Sequence, residues 1–164
     1  MRDLVAALVA LALVAAALSL ATTLHFWRRR RERAHQSERA AGRTIVAEIP
    51  TGDELRLFTE DAQHFYYGQD VIDKEDIAAV RVLINGAPIA AAVSSRYKGD
   101  ERQPTSFEDR PEGIARDRWD VALETPAKTV LVECGAIRER ISQELARAVF
   151  EAVKRDLEHR NARA

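Results

Sequence analysis

The residue types that most often carry catalysis or bind metals are few and scattered in this chain. The four histidines follow no HExxH-type spacing, and they are His25, His35, His64 and His159. The single cysteine, Cys134, ends an apolar run, where a small buried hydrophobe is its usual role, and no neighbouring base would activate it as a nucleophile. We therefore expect no catalytic residue, no metal site and no cofactor, and a protein that is not an enzyme.

Carboxylates and glycines give no further support to catalysis. The acidic pairs lie beside turns and loops, where solvated carboxylates are usual, and they are Glu60-Asp61, Glu75-Asp76 and Glu108-Asp109. Neither GxxxxGK[ST] nor GxGxxG occurs, so no sequence motif predicts a nucleotide phosphate site. A small hydrolase consequently has no supporting set of residues.

One aromatic segment is a candidate for binding a partner. In a strand, Phe65 and Tyr67 share one face, and Tyr66 shares the other with His64. If the first pair belongs to the core, Tyr66 is exposed and could anchor a partner peptide beside an edge strand. Tyr66 and His64 are therefore our candidate partner-binding residues. The alternatives are a tyrosine at the rim with its hydroxyl in water and a partly exposed strand histidine.

Charge is distributed unevenly along the chain. A basic cluster consists of Arg28, Arg29, Arg30, Arg31 and Arg33. Its net charge is +4 when Glu32 is included, whereas residues 34–164 carry a net charge of −5. An acidic domain lacks the clustered cations that neutralise phosphates, so nucleic acid is not an expected partner. A single cysteine cannot form an intrachain disulfide, which fits a reducing compartment.

The N-terminal segment is long enough to cross a bilayer. Residues 4–27 are built mainly from Leu, Val and Ala, and roughly 20 apolar residues suffice to span. The arginine cluster follows at once, so the positive-inside rule places the N-terminus outside and the C-terminal domain in the cytoplasm of a single-pass cell-membrane protein. The arginines could also attract anionic lipid headgroups. A secretory signal cleaved after Ser19-Leu20-Ala21 and a buried soluble helix are the alternatives.

The rest of the chain is predicted to form one domain. Residues 1–27 are the anchor, residues 28–43 a polar linker that is either helical or flexible, and residues 44–160 the soluble domain. Seven strands are predicted, at residues 44–49, 55–58, 64–67, 80–84, 89–93, 119–124 and 129–134. Gly68-Gln69-Asp70 is predicted as a turn, and the alternative is that Val71-Ile72 extends the strand pairing beyond it. A long charged loop at residues 98–118 is either functional or disordered.

Two elements have distinct signatures. Asn85-Gly86 predicts a type I′ hairpin, with one face formed by Val80, Val82, Ile84, Ile89, Ala91 and Val93. The last element is an amphipathic helix, either packed on the sheet or on a partner, with an apolar stripe of Ile137, Ile141, Leu145, Ala148, Val149, Ala152, Val153 and Leu157. Beyond Leu157 the chain is predicted to be unwound.

The element order resembles that of pleckstrin-homology-like (PH-like) domains over residues 44–158. Asp76-Ile77-Ala78-Ala79-Val80 is similar to a segment of bacterial members, and residues 130–133 followed by a helix with Phe150 are similar to their closing strand and helix. The resemblance implies a mainly β (α+β) fold, with a seven-stranded antiparallel sandwich or barrel closed by the C-terminal helix, and it implies a binding scaffold. Only Arg56 adjoins the first hairpin beside two carboxylates, so phosphoinositide recognition is not expected.

The function that these observations favour is a membrane-anchored, non-enzymatic interaction or scaffold domain that faces the cytoplasm and binds a protein in or at the membrane. The tether would raise its effective concentration near such a partner. The alternative is a lipid- or small-ligand-binding domain with an apolar pocket between sheet and helix. A free groove or edge strand distinguishes the first hypothesis, and an enclosed apolar cavity the second.

Overall fold

The N-terminal unit is one long helix. The computed structural model describes residues 2–51, 54–97 and 118–163, without the side chains of residues 2–10, 24 and 27. The chain divides into two units, Met1–Ala41 and Gly42–Ala164. The first unit consists of α1 (Arg2–Ala40), which contains a segment long and apolar enough to span a membrane. Its 39 residues extend for about 58 Å, so the linker continues the helix rather than forming a flexible tether.

The hydroxyl groups inside the apolar segment bond back to their own helix. Thr22 and Thr23 each donate to the carbonyl oxygen of Ser19, at 2.8 Å. Such bonds satisfy polar side chains where no water is present, so these residues are compatible with a membrane span. The helix is followed by Gly42 with a φ of +74°, the left-handed conformation that commonly terminates helices.

The described residues of the second unit form two four-stranded antiparallel sheets, a short 3₁₀ helix and one α-helix. The first sheet has the order β1 (Thr44–Thr51), β2 (Glu54–Glu60), β3 (His64–Tyr67), β4 (Asp70–Asp73). A short 3₁₀ helix (Lys74–Asp76) leads into the second sheet, which consists of β5 (Ala79–Ile84), β6 (Ala87–Val93), β7 (Arg118–Glu124) and β8 (Thr129–Ala136). Its order is β6-β5-β7-β8, so β6 and β8 are edge strands. The second helix, α2, spans Arg140–Asn161.

The described residues form eight strands, so the predicted count of seven is not confirmed. The additional strand is β4, where a turn with a possible extension was predicted. Gly68, with a φ of +60°, helps reverse the chain, and β4 then pairs with β3 through Tyr67 opposite Asp70 and Phe65 opposite Ile72. The two sheets remain separate instead of closing into a barrel. The α+β class is confirmed, and the PH-like resemblance stays a prediction.

A single hydrophobic core joins the two sheets and α2. Phe58, Phe65 and Tyr67 extend from the first sheet, with the rings of Phe58 and Phe65 stacked at 5.5 Å between centroids. The second sheet contributes one face, and α2 contributes Val149 and Val153. The core side chains of that sheet are Val80, Val82, Val121, Leu123, Val130, Val132 and Cys134. Phe65 and Tyr67 therefore belong to the core, which was the condition for exposure of Tyr66.

The β5–β6 hairpin has the predicted turn, but β6 faces the other way. Asn85 and Gly86 have φ values of +52° and +80°, as a type I′ turn requires. A bulge then shifts the register, so that Val82 lies opposite Ala90 instead of Ile89. A one-residue shift exchanges the two faces of a strand. The prediction for β6 was therefore wrong: Ala90 and Ala92 pack on the core, while Ile89 and Ala91 are exposed.

The first turns of α2 are rotated from the predicted stripe. Val149, Ala152, Val153 and Leu157 are buried as predicted, but Ile141 is 65% exposed and Leu145 and Ala148 are only partly buried. Ile137, which was predicted to belong to the stripe, precedes the helix. Ser142 reaches the interior instead, beside Gly135, whose φ is +113°. A Cβ atom on Gly135 would lie 2.5 Å from Ser142 Oγ, so the absence of a side chain permits this close approach.

Candidate functional site

The two predicted partner-binding residues lie together on the outer face of the first sheet. The rings of His64 and Tyr66 are 5.9 Å apart, and Tyr66 is partly buried rather than fully exposed. The Tyr66 hydroxyl donates to Asp61 Oδ2 at 2.6 Å, and the guanidinium of Arg43 lies 3.7 Å above the centre of its ring. One face of the ring and the hydroxyl are thus occupied within the domain. We call Arg43, Asp61, His64 and Tyr66 the Tyr66 cluster.

Asp61 is the centre of the Tyr66 cluster. Its Oδ1 accepts the backbone N–H groups of Gln63 (2.8 Å) and His64 (2.7 Å), which forms a local turn. The hydrogen bond from Tyr66, followed by the backbone bonds, lowers the pKa of Asp61 to about 2. The same carboxylate raises the pKa of Tyr66. These contacts stabilise the turn between β2 and β3, and the partner-binding role of Tyr66 and His64 stays a prediction.

The basic cluster lies on α1. Arg28, Arg29, Arg30, Arg31 and Arg33 are all exposed there. Successive residues of an α-helix are separated by about 100°, so these five residues surround the helix instead of forming one basic face. A collar of this kind suits the membrane–water boundary, where charged groups reach lipid headgroups from every side.

Sequence reasoning missed the ion pairs on the outer face of the second sheet. Arg81 Nε lies 2.6 Å from Glu124 Oε1, and its Nη2 donates to the Tyr97 hydroxyl at 3.0 Å. Arg118 Nε lies 2.6 Å from Asp120 Oδ1, and its Nη1 lies 3.1 Å from Glu133. Asp120 is fully buried, and this burial raises the pKa of its carboxyl group. In the sequence, these charged residues alternate with the valines of β5 and β7, and this alternation was the signal that could have indicated the ion pairs.

The potential nucleophile is not activated. Cys134 is fully buried in the core, and desolvation raises the pKa of its thiol to about 12, so the thiol is neutral near pH 7. Within residues 2–51, 54–97 and 118–163, no three His, Cys, Asp or Glu side chains converge as metal ligands. The expectation that the protein is not an enzyme stays a prediction.

The edge strand β6 of the second sheet is uncharged and partly exposed. Its sequence, APIAAAV, contains no charged residue. Ile89 is 51% exposed, and Ala87 and Ala91 are exposed as well. On its outer side β6 pairs with no other strand of the described chain.

The backbone of β6 is open over a short stretch. Ser94 N–H bonds the carbonyl oxygen of Ala78 on the β5 side at 2.8 Å, so by alternation Ala92 and Ala90 also bond towards β5. Ala91 and Val93 consequently direct their N–H and C=O groups to the open edge. The Val93 carbonyl accepts a hydrogen bond from Asn161 Nδ2 at 3.1 Å, and Pro88 has no N–H. The open part of the edge is therefore centred on residues 89–91.

A polar cleft lies at the end of β6. It has a volume of about 140 Å³ and is lined by Glu75, Ser94, Ser95, Arg96, Arg160, Asn161 and Arg163. Arg160 and Asn161 belong to the last turn of α2, which continues to residue 161. The prediction that the chain is unwound after Leu157 was wrong, because both side chains bond to other elements of the second unit.

The cavities formed by the described residues are mainly polar. The space between the sheets and α2 is filled by fully buried side chains such as Phe58, Phe65 and Val149. Three cavities among the described residues are lined mainly by charged and polar side chains. No family model, curated protein or solved structure matches the chain. Function is accordingly inferred from its surface.

Proposed function

We propose that the chain is a membrane-anchored, non-enzymatic interaction or scaffold protein, whose folded unit faces the cytoplasm and binds a protein partner through β6. The observation that carries this proposal is the exposed, uncharged edge of β6. Extended segments that add to such an edge gain main-chain hydrogen bonds and place alternate side chains on each face of the sheet.

The composition of β6 supports a binding role. Soluble proteins usually protect edge strands with charged side chains, proline or a covering element, because open edges attract other chains. β6 has Pro88 near one end and Asn161 over Val93 at the other, while Ile89 and Ala91 between them are exposed and apolar. The protection at both ends limits nonspecific pairing and leaves one window for a partner strand.

The properties of α1 support the location. The helix is long enough to cross about 30 Å of hydrocarbon, and its arginine collar favours the cytoplasm for the C-terminal side. Beyond Arg28 the helix continues for about 20 Å to Ala40. A partner is therefore a protein in or at the membrane with a cytoplasmic segment, and the collar could contact anionic lipid headgroups.

The PH-like resemblance is compatible with the same function, since it implies a binding scaffold. Lipid or small-ligand binding in an apolar pocket between sheet and helix has less support, because bulky side chains such as Phe58 and Phe65 fill the interior. Tyr66 and His64 remain a second, less accessible contact region on the other sheet.

The experiment that tests this function is site-specific photo-crosslinking of the full chain in its native membrane. A photoreactive phenylalanine derivative replaces Ile89, and a matched control replaces Val71, which is 57% exposed on the edge strand β4. We expect one specific membrane protein to be crosslinked from position 89 and not from position 71. Equal crosslinking from both positions, or none from position 89, would contradict the proposal.

A backbone variant tests the mode of binding. Ala91→Pro removes an N–H that points to the open edge and leaves the bonds to β5 intact, whereas Ala91→Val keeps that N–H. We expect Ala91→Pro to abolish crosslinking from position 89 and Ala91→Val to preserve it. The two variants should unfold at similar urea concentrations.

A reporter fused to Ala164 tests the orientation, and activity of an export-dependent reporter there would overturn the cytoplasmic assignment.

A further inference from the structure

The polar cleft is assembled from three separate parts of the domain. The turn after β6 supplies Ser94, Ser95 and Arg96, the 3₁₀ helix supplies Glu75, and the end of α2 supplies the remaining lining residues. Because Ser94 directly follows Val93, the cleft adjoins the end of β6. An extended chain lying along the open edge of β6 would therefore reach it.

The walls of the cleft are held in place by hydrogen bonds. Arg160 Nε lies 3.0 Å from Asp156 Oδ2, and its Nη1 and Nη2 each donate at 3.2 Å to the carbonyl oxygens of Glu75 and Ile77. Asn161 Oδ1 accepts the Ser95 N–H at 2.7 Å. The cleft is thus preorganised, and a ligand need not order these groups when it binds.

The lining has a local positive charge. It contains three arginines and one glutamate, whereas residues 34–164 together carry −5. Arg160 is paired with Asp156, but Arg96 and Arg163 are exposed and form no ion pair with any residue in the described ranges. These two guanidinium groups line the same cleft as Ser95, and they are donors suited to a carboxylate or a phosphate.

We infer that this cleft is an anion subsite, which binds an acidic group carried by the partner segment that pairs with β6; this inference rests on the proposed function. Ala91 and Ser95 are four residues apart, so the anion lies about 13 Å along the partner strand from the residue opposite Ala91. The shared chemistry is a carboxylate or phosphate oxyanion. A polypeptide is favoured over an anionic bilayer surface because the cleft is continuous with the strand edge and the domain is acidic.

Inorganic phosphate and acetate serve as probes of the subsite. The ¹⁵N-labelled full chain in neutral detergent micelles is titrated with each anion, with chloride at equal ionic strength as the reference, and the Ser95 and Arg96 amide signals are followed. We expect selective shifts in the wild type. Arg96→Gln/Arg163→Gln should weaken phosphate binding about tenfold, since each partly exposed charge contact contributes modestly.

The control variant is Arg138→Gln/Arg147→Gln, which removes the same charge from exposed positions nearer the start of the α2 segment. This variant should bind phosphate as the wild type does. Equal weakening in both variants would show a general charge effect and overturn the inference. The inference would also be overturned if phosphate and acetate shifted the Ser95 and Arg96 amide signals no more than chloride does.

Two further arms separate this inference from the proposed function. If crosslinking from position 89 is undiminished in Arg96→Gln/Arg163→Gln, the partner binds without the cleft, so the inference fails and the function stands. If phosphate binds but position 89 captures no protein, the function fails, and with it the polypeptide source. Binding of a lipid headgroup is tested with the full chain in phosphatidylcholine nanodiscs, prepared with and without phosphatidylserine. If the Ser95 and Arg96 amide signals shift only when phosphatidylserine is present, the anion belongs to a lipid headgroup, and the polypeptide source is overturned.

Discussion

Replacing Tyr66 with phenylalanine removes the hydroxyl that donates to Asp61 Oδ2 at 2.6 Å. That bond is the largest cause of the lowered pKa of Asp61, which is about 2 in the folded protein against an ordinary value of 3.8. Because the folded state favours the ionised carboxylate, Asp61 stabilises the fold fully above pH 3.8, and this stabilisation is lost as the pH falls to about 2.

The magnitude follows from the difference between the two pKa values. At about 1.4 kcal/mol per unit, the difference corresponds to at most about 2.5 kcal/mol. Asp61 is partly exposed, with 29% of its side chain accessible, so solvent screening reduces this to about 1 kcal/mol. The backbone bonds from Gln63 and His64 remain in Tyr66→Phe and keep their share of the shift. We therefore expect Tyr66→Phe to lower the free energy of unfolding by at most about 1 kcal/mol at pH 7, and by progressively less below pH 4.

The assay is urea unfolding of the full chain in neutral micelles at several pH values, with a ¹³C titration of the Asp61 carboxyl group. A double-mutant cycle with Asp61→Asn isolates the coupling, since an asparagine oxygen can still accept the backbone bonds from Gln63 and His64. Tyr97→Phe is the control, because its hydroxyl contacts Arg81 and Glu124 instead. An unchanged Asp61 pKa in Tyr66→Phe, or a loss of stability independent of pH, would refute the reasoning.

Three further variants or treatments probe the core. Gly135→Ala should destabilise the domain by about 2–3 kcal/mol in urea unfolding, because its Cβ would meet Ser142 Oγ and its φ is positive; a wild-type midpoint would contradict the close approach. Phe58→Ala should cost about 3–5 kcal/mol by the same measurement, and a loss below 1 kcal/mol would contradict its full burial. Cys134 should resist iodoacetamide at pH 8 in the folded protein and react after unfolding in urea, so rapid alkylation without urea would contradict its burial and raised pKa.

Local patterns in the sequence determined several elements of this protein. The apolar run and the arginines after it are neighbours in the chain, and they were sufficient to predict a helix long enough to span a membrane. The Asn85-Gly86 turn was predicted from two adjacent residues, and their φ values are positive as a type I′ turn requires. The alternation that buries Phe65 and Tyr67 is equally local. Helices and tight turns are governed by neighbouring residues, so their sequences are sufficient to predict them.

Tertiary structure decided which faces these elements expose. A bulge between β5 and β6 moved Ile89 and Ala91 to the surface, and the close approach of Gly135 to Ser142 accompanies the rotation of α2 that exposes Ile141. Neither effect has a local signal, since a bulge depends on the partner strand and a close approach depends on residues that meet only in the fold. The edge of β6 and the cleft beside it therefore became visible only in three dimensions.

The arginines and acidic residues illustrate the same division. Their numbers and spacing along the chain were enough to predict the charge asymmetry between the helix and the domain. Which of them pair was decided by strand register, which brings Arg81 to Glu124 across 43 positions. The anchored end of α2 likewise decided that Arg96 and Arg163 line the same cleft. Side-chain pairing depends on distance in space, whereas the sequence specifies directly only distance along the chain.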